Sequence, residues 1–137
     1  MLQPKKPKYR KQFRKGATVI ASRGSSLSFG DYGLKSLERG WLSEKQIEAG
    51  RRTITHFTKR GGKIWIRVFP DKPITGKGAG VGMGAGKGDV KGYVAVITPG
   101  KMIFEIAGVP CEVGREALNR AAHKLSVRTR FVAKEYR

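Results

Sequence analysis

The stretch GGKIWIRVFPDKPIT (residues 61–75), running into GKGAGVGMGAGKG (residues 76–88), decides how the rest of the chain is read. Its first half predicts a buried strand. Ile64, Ile66 and Val68 alternate with Trp65, Arg67 and Phe69, and β-branched residues at period two suit a pleated surface. Pro70 has no amide proton to donate, so the ladder is expected to stop there, with Asp71-Lys72-Pro73 as a rigid turn. The second half cannot pack. Every even-numbered residue from 76 to 88 is glycine, seven in all, which leaves few side chains to bury and a large ordering cost. A loop of this kind makes sense where an outside partner orders it. Lys77, Lys87 and Lys91, set against Asp89 alone, point to an anionic one. A floppy hairpin tip or linker is the alternative reading.

Counting removes two nucleotide-binding loops. G-x-G-x-x-G needs an odd step between glycines, which the even spacing forbids. A phosphate loop needs Gly-Lys-Ser/Thr, whereas the Gly-Lys pairs here precede Ile64, Gly78, Gly88 and Met102.

The whole composition agrees with an anionic partner. Across 137 residues there are 29 Lys plus Arg against 10 Asp plus Glu, a net charge of +19. Self-repulsion on that scale opposes compactness unless a polyanion sits alongside, with nucleic acid the leading candidate and an anionic membrane surface second. The length suits one domain with a real core. The single cysteine, Cys111, precludes an internal disulfide and fits a reducing compartment. No apolar run approaches the ~20 residues of a spanning helix. Residues 17–21 (ATVIA) are too short for a secretory core, and Pro4 and Pro7 argue against the amphipathic helix of a transit peptide.

Residues 1–15 carry Lys5, Lys6, Lys8, Arg10, Lys11, Arg14 and Lys15 without one acid, with Tyr9 and Phe13 between them. This composition predicts a disordered basic arm that folds on a phosphate backbone, a solubilising tail being the alternative. Residues 16–137 are expected to form a single α+β domain from which a glycine-rich loop at 76–92 protrudes. Residues 16–42 read as irregular β structure, with a bend or bulge at Gly30 and Gly33 and with Trp41 and Leu42 in the core. Ser43 followed by Gln46 is a capping box, and Ile47, Gly50, Ile54 and Phe57 give one apolar face. That helix is expected to end at Gly61-Gly62 with Lys59 and Arg60 in its last turn. Its opposite face holds Lys45, Arg51, Arg52 and Lys59 beside His56, a solvated face or a phosphate site. Residues 93–98 and 102–106 read as a hairpin across Pro99-Gly100. A second amphipathic helix then runs from the turn at Gly108-Val109-Pro110 to about Lys124, with Val113, Ala117, Leu118, Ala121 and Leu125 inward. The closing segment, residues 127–133, predicts an edge strand with Arg128 and Arg130 on its outer side. The order implies an α+β fold: a mostly antiparallel sheet with two helices on one side.

No catalytic constellation emerges. His56 and His123 each sit among basic residues on a predicted helix, and one cysteine offers no zinc spacing. Cys111 and His123, twelve residues apart on one helix, would be about 18 Å apart, too far for a dyad. Cys111 is expected to be a small, partly buried helix-start residue. The sequence predicts no enzyme, no cofactor and no metal site.

MLQPK at the start, SFGDYGLK (residues 28–35), QIEA (46–49), KIWIRVFPDKPIT (63–75) and FEIAGVP (104–110) together resemble the bacterial large-subunit ribosomal protein sixteen family, which is shared with the archaeal and eukaryotic ten-e proteins. The resemblance covers essentially the whole chain. It implies a hammerhead-type α+β fold on large-subunit ribosomal RNA beside the aminoacyl-tRNA site. It also implies contact with A-site tRNA (P-site tRNA as an extension), support of late subunit assembly, neighbouring ribosomal proteins as partners, and a cytoplasmic ribosome in preference to an organellar one. Neither a membrane nor a homo-oligomer is expected. The tRNA contacts carry over to Arg51, Arg52, Lys59 and Arg60, and to His56, where many members have arginine. The ribosomal RNA contacts fall on the arm (Lys5, Lys6, Lys8, Arg10, Lys11, Arg14, Lys15) and on Arg67, Lys72, Arg128 and Arg130. The loop toward the peptidyl-transferase centre keeps Lys77, Met83, Gly84, Gly86, Lys87 and Gly88. Gly82 stands where the family has an arginine that some bacteria hydroxylate, and Ala85 where it has a lysine, so two loop cations are missing here. Two other classes compete with this reading: a free-standing nucleic-acid chaperone or DNA-binding protein, and a small enzyme with an RNA substrate.

Overall fold

The structure is a computed structural model that describes residues 2–14 and 19–135. The fold is α+β, with elements in the order β1 (Tyr32–Ser36), β2 (Gly40–Ser43), α1 (Glu44–Phe57), β3 (Lys63–Ile66), β4 (Lys72–Gly76), β5 (Asp89–Ile97), β6 (Met102–Ala107), α2 (Cys111–Ala122) and β7 (Thr129–Ala133). The strands make two antiparallel sheets rather than one, in the orders β3-β6-β1-β7 and β2-β5-β4.

Local signals set α1. The Ser43 hydroxyl accepts the Gln46 amide at 3.2 Å, and the Gln46 side-chain oxygen accepts the Ser43 amide at 3.0 Å, so the box caps two otherwise orphaned donors. Ile47, Gly50 and Ile54 face the core as their spacing predicts. Gly50 matters for its size: a Cβ there would lie 2.9 Å from Phe104 Cε2, so the helix backbone can rest on that ring. α2 repeats the device with Gly114, where a Cβ would meet Tyr32 Cδ2 at 3.0 Å. Both helices thus cover one face of the four-stranded sheet. Leu34, Ile47, Ile54, Phe104, Ile106 and Leu118 form the centre of the core between them.

The two strands expected to pair as a hairpin do not pair. β5 lies between β2 and β4, and β6 between β1 and β3, so each strand has both edges occupied. The turn between them, closed by Lys101 N–H to Thr98 C=O at 3.1 Å, carries the chain from one sheet to the other. Ser36 C=O anchors it by accepting the Gly100 amide at 2.7 Å. Four further expectations shift. β3 ends at Ile66, not at Phe69. Lys72-Pro73 begins β4 instead of closing a turn, Pro73 being tolerated because β4 is an edge strand. α1 ends at Phe57, so Lys59 and Arg60 lie beyond it. Cys111 is exposed instead of partly buried.

The glycine run is the tip of the β4–β5 hairpin. Residues 77–87 are all exposed, and a Cβ added at Gly80, Gly82, Gly84 or Gly86 would meet nothing within 4 Å. Among the described residues no helix is long and apolar enough to cross a membrane.

Candidate nucleic-acid interface

The cations of α1 and of the turn after it converge. Arg51, Arg52, Thr55, His56, Lys59 and Arg60 line one open groove of about 600 Å³, which holds all five residues that the resemblance assigns to tRNA. Arg60 reaches it because Lys59 and Arg60 adopt left-handed backbone, at φ 53° and 62°. Left-handed geometry costs about 1–2 kcal/mol for each non-glycine residue, so the surrounding structure must hold this turn in place. The Arg60 amide does part of that by donating to Thr55 C=O at 2.9 Å.

The groove is not uniformly positive. Glu48 accepts from Arg51 Nε at 3.0 Å, from Arg51 Nη2 at 2.5 Å and from Arg52 Nε at 3.1 Å. The Arg51 hydrogen bonds foremost, helped by Arg52, hold its carboxyl down to about 2. One acid therefore aligns two guanidiniums and leaves a net positive charge. A second groove of about 660 Å³ shares Arg52 and His56 with the first and adds Thr53, Phe57, Arg120, His123 and Lys124. Here Arg120 lies 4.5 Å from the Phe57 ring centroid and bonds Glu116 at 3.1 Å. The two histidines thus line one groove through the packing of α1 on α2, although nothing in the sequence links them.

The arm, in its described part, lies against the base of the finger. Lys11 Nζ donates to Lys87 C=O at 3.1 Å, Lys87 Nζ donates to Gln12 C=O at 2.5 Å, and Arg14 donates to Thr75 C=O at 3.1 Å. Lys87 also sits 5.7 Å from the Phe13 ring centroid. Lys5, Lys6, Lys8 and Arg10 are exposed, whereas Lys15 falls outside the described residues. Inside the finger, Lys77 Nζ donates to Gly82 C=O at 3.3 Å and to Gly84 C=O, which closes the tip on itself and leaves Met83 fully exposed.

Arg67 and Lys72 are placed differently from the other predicted contacts. They line a cleft of about 520 Å³ with Gln12, Asp71 and Lys101, but both are largely enclosed. Lys72 is 8% exposed, with Nζ 4.9 Å from the Trp41 ring centroid. The Arg67 side chain is 16% exposed and is ion-paired to the fully buried Glu105. Glu105 Oε1 also accepts the amides of Ser28, Phe29 and Gly30 at 2.9, 3.0 and 3.1 Å. Burial alone would raise the Glu105 carboxyl, but Arg67 and these three donors outweigh it and hold it below the usual range. Sequence reasoning missed Glu105 because its partners lie far off in the chain; its signal was an acid inside the apolar run of β6. Arg128 and Arg130 are exposed beside and on the edge strand β7, Arg128 reaching Glu38 at 3.6 Å.

Among the described residues no group of three or more His, Cys, Asp or Glu could hold a metal ion. Fold and surface together define a small, strongly basic α+β protein shaped to meet a polyanion. Comparison with known proteins makes this specific. Residues 4–132 match the family described as ribosomal protein L16p/L10e. Large ribosomal subunit protein uL16 of Albidiferax ferrireducens is 60% identical over 134 residues, covering 98% of this chain and 97% of that protein. The proteins of the same name from Delftia acidovorans and Porphyromonas gingivalis are 58% and 54% identical, covering 98% and 93% of their own lengths. The chain belongs to the ribosomal protein L16p/L10e family, a family of structural ribosomal proteins and not of enzymes.

Proposed function

We propose that the chain is a structural constituent of the large ribosomal subunit that binds large-subunit ribosomal RNA and helps shape the aminoacyl-tRNA site. In this reading the α1 groove meets the A-site tRNA, and residues 1–15 are an RNA-binding arm that supports late assembly. The finger, residues 76–92 on the body formed by residues 16–137, reaches toward the peptidyl-transferase centre. The ribosome concerned is the cytoplasmic one, and the partners are ribosomal RNA, tRNA and neighbouring ribosomal proteins.

The observation that carries the reading is the convergence of Arg51, Arg52, His56, Lys59 and Arg60 on one groove, in a chain of net charge +19. Phosphates repeat along a folded RNA, and a row of cations on rigid backbone reads that spacing as shape. The finger lacks the family's arginine and lysine at Gly82 and Ala85, so it meets RNA through backbone amides and Lys87, with no arginine to hydroxylate at position 82.

The test has two parts. Co-sedimentation separates this reading from a free nucleic-acid chaperone: the chain stays with large subunits through a moderate-salt wash, and a chaperone washes off. Arg51→Ala with Arg52→Ala should then impair tRNA accommodation more than subunit incorporation, and deletion of residues 1–15 should do the reverse. Equal effects of the two changes on assembly would sink this division of labour.

A further inference from the structure

One row of residues crosses the four-stranded sheet on the face turned away from the helices. Register places Trp65, Glu105, Gly33 and Val132 side by side in it. Gly33 keeps the middle of the row empty: a Cβ there would lie 2.6 Å from Leu27 Cδ2 and 2.8 Å from Met102 Sδ. The segment before β1 can therefore lie flat on the sheet, where the Glu105 carboxylate takes three of its consecutive amides and the Arg67 guanidinium.

What this clamp fixes in place is Phe29. Its ring stacks on Trp65 with centroids 6.0 Å apart and planes at 20°, yet the residue is 58% exposed. Arg67 lies 5.2 Å from the Phe29 centroid, and Lys63 Nζ lies 5.6 Å from that of Trp65. Lys35 and Arg130 pair in register farther along the same face. Glu105, the acid of the row itself, is fully buried and matched by Arg67. A buried carboxylate with four donors is a costly way to hold an aromatic ring open to water, unless something is to land on the ring.

We propose that Phe29 and Trp65 form a stacking platform for one unpaired base of large-subunit RNA, with Lys63 on the adjoining phosphate and Arg67 as the positioning residue. The chemistry favours a base over a protein side chain. An aromatic surface flanked by cations suits a π-face attached to a phosphate, and stacking tolerates any base. The inference rests on the RNA-binding reading above but uses none of the residues which that reading assigns to tRNA.

The experiment uses the full chain carrying Trp41→Phe, so that Trp65 is the sole tryptophan. It is titrated with a nine-nucleotide single-stranded adenylate RNA and with an abasic strand of equal length. The base-bearing strand should quench Trp65 emission, and the abasic strand should bind without quenching. Phe29→Leu should weaken binding of the adenylate about 5- to 150-fold with the salt slope unchanged. Phe29→Tyr should restore it. Lys63→Ala should lower the log-log salt slope by about 0.7. Equal quenching by the abasic strand, or a Phe29→Leu chain that binds like its parent, overturns the platform. So does Trp65 emission that RNA leaves unchanged and a neighbouring ribosomal protein alters. In those cases retained binding to deproteinised large-subunit RNA leaves the RNA reading standing, whereas loss of that binding in the parent chain overturns both.

Discussion

The packed body and the glycine finger both depend on glycine, and for opposite reasons. Gly50 is small because Phe104 occupies the space a side chain would need, 2.9 Å from the nearest ring atom. Gly82 has nothing within 4 Å and an unexceptional backbone. One absence of a side chain is packing; the other leaves a surface for something else to fill. The body is therefore specified by contacts inside the chain, whereas on the proposed RNA-binding reading the finger is completed by contacts outside it, and substitutions should separate the two.

The largest effect is expected where the body is least forgiving. Glu105→Leu keeps the volume but leaves Arg67 without its buried partner and three amides without an acceptor. Breaking one side of a buried pair costs about 3–5 kcal/mol, a large share of the roughly 5–15 kcal/mol that stabilises a domain. Urea unfolding should show the midpoint fall accordingly. A loss under ~1 kcal/mol would mean that water reaches the amides and that the clamp is not closed.

The second effect sharpens the comparison itself. Gly50→Val drives a branched side chain into Phe104, which is fully buried and cannot move aside, so overpacking should cost about 1–3 kcal/mol. Gly82→Val should stay within about 0.5 kcal/mol of the parent. Equal losses at the two positions would show that the finger is packed after all.

Much of this contrast can be read from local sequence. The Ser43–Gln46 box, the 3.6-residue stripe of α1 and the inward Ala117, Leu118 and Ala121 of α2 act over one or two turns and land where their pattern puts them, whereas Val113 is only half-buried and Leu125 lies past the end of α2 at Ala122. The partnering of strands cannot be read that way. Residues 93–98 and 102–106 carry the signature of a hairpin, yet both edges of each are occupied by other strands, β2 and β4 for one and β1 and β3 for the other. The same holds at the site. Arg51, Arg52 and His56 share a helix face that the sequence displays, but two consecutive left-handed residues bring Arg60 to it, and neither is a glycine. Arg67 reads as a surface cation until Glu105, from β6, is seen beneath it.

A smaller effect comes from acid. The folded-state carboxyl of Glu48 lies at about 2 against an ordinary 4.5, so its contribution is complete above roughly pH 5 and is lost as the pH falls through 2. Glu105 acts with the same sign. The Arg51 and Arg52 side chains are open to water, so screening keeps the Glu48 pairs within ~1 kcal/mol in spite of the depressed carboxyl. Glu48→Gln should therefore be slightly less stable than the parent at pH 7. The two stabilities should converge near pH 2, as followed by denaturant midpoints across that range. A gap that persists at pH 2 would assign the loss to packing instead of charge.

The smallest change in stability belongs to the finger, and it tests the contrast from the other side. Gly82→Arg puts a long cation where nothing lies within 4 Å, so the denaturant midpoint should stay within error of the parent. Binding is where it should register. One further phosphate contact steepens the salt dependence of binding to large-subunit RNA by about 0.7–0.9 in log-log slope. Gly50→Arg is the inverse case, because a side chain there meets Phe104 and would unsettle the body before it met any RNA. If Gly82→Arg changes stability and leaves the salt slope alone, the finger belongs to the body's economy of contacts. If it changes the slope alone, the empty space around Gly82 is a surface whose shape is completed by RNA.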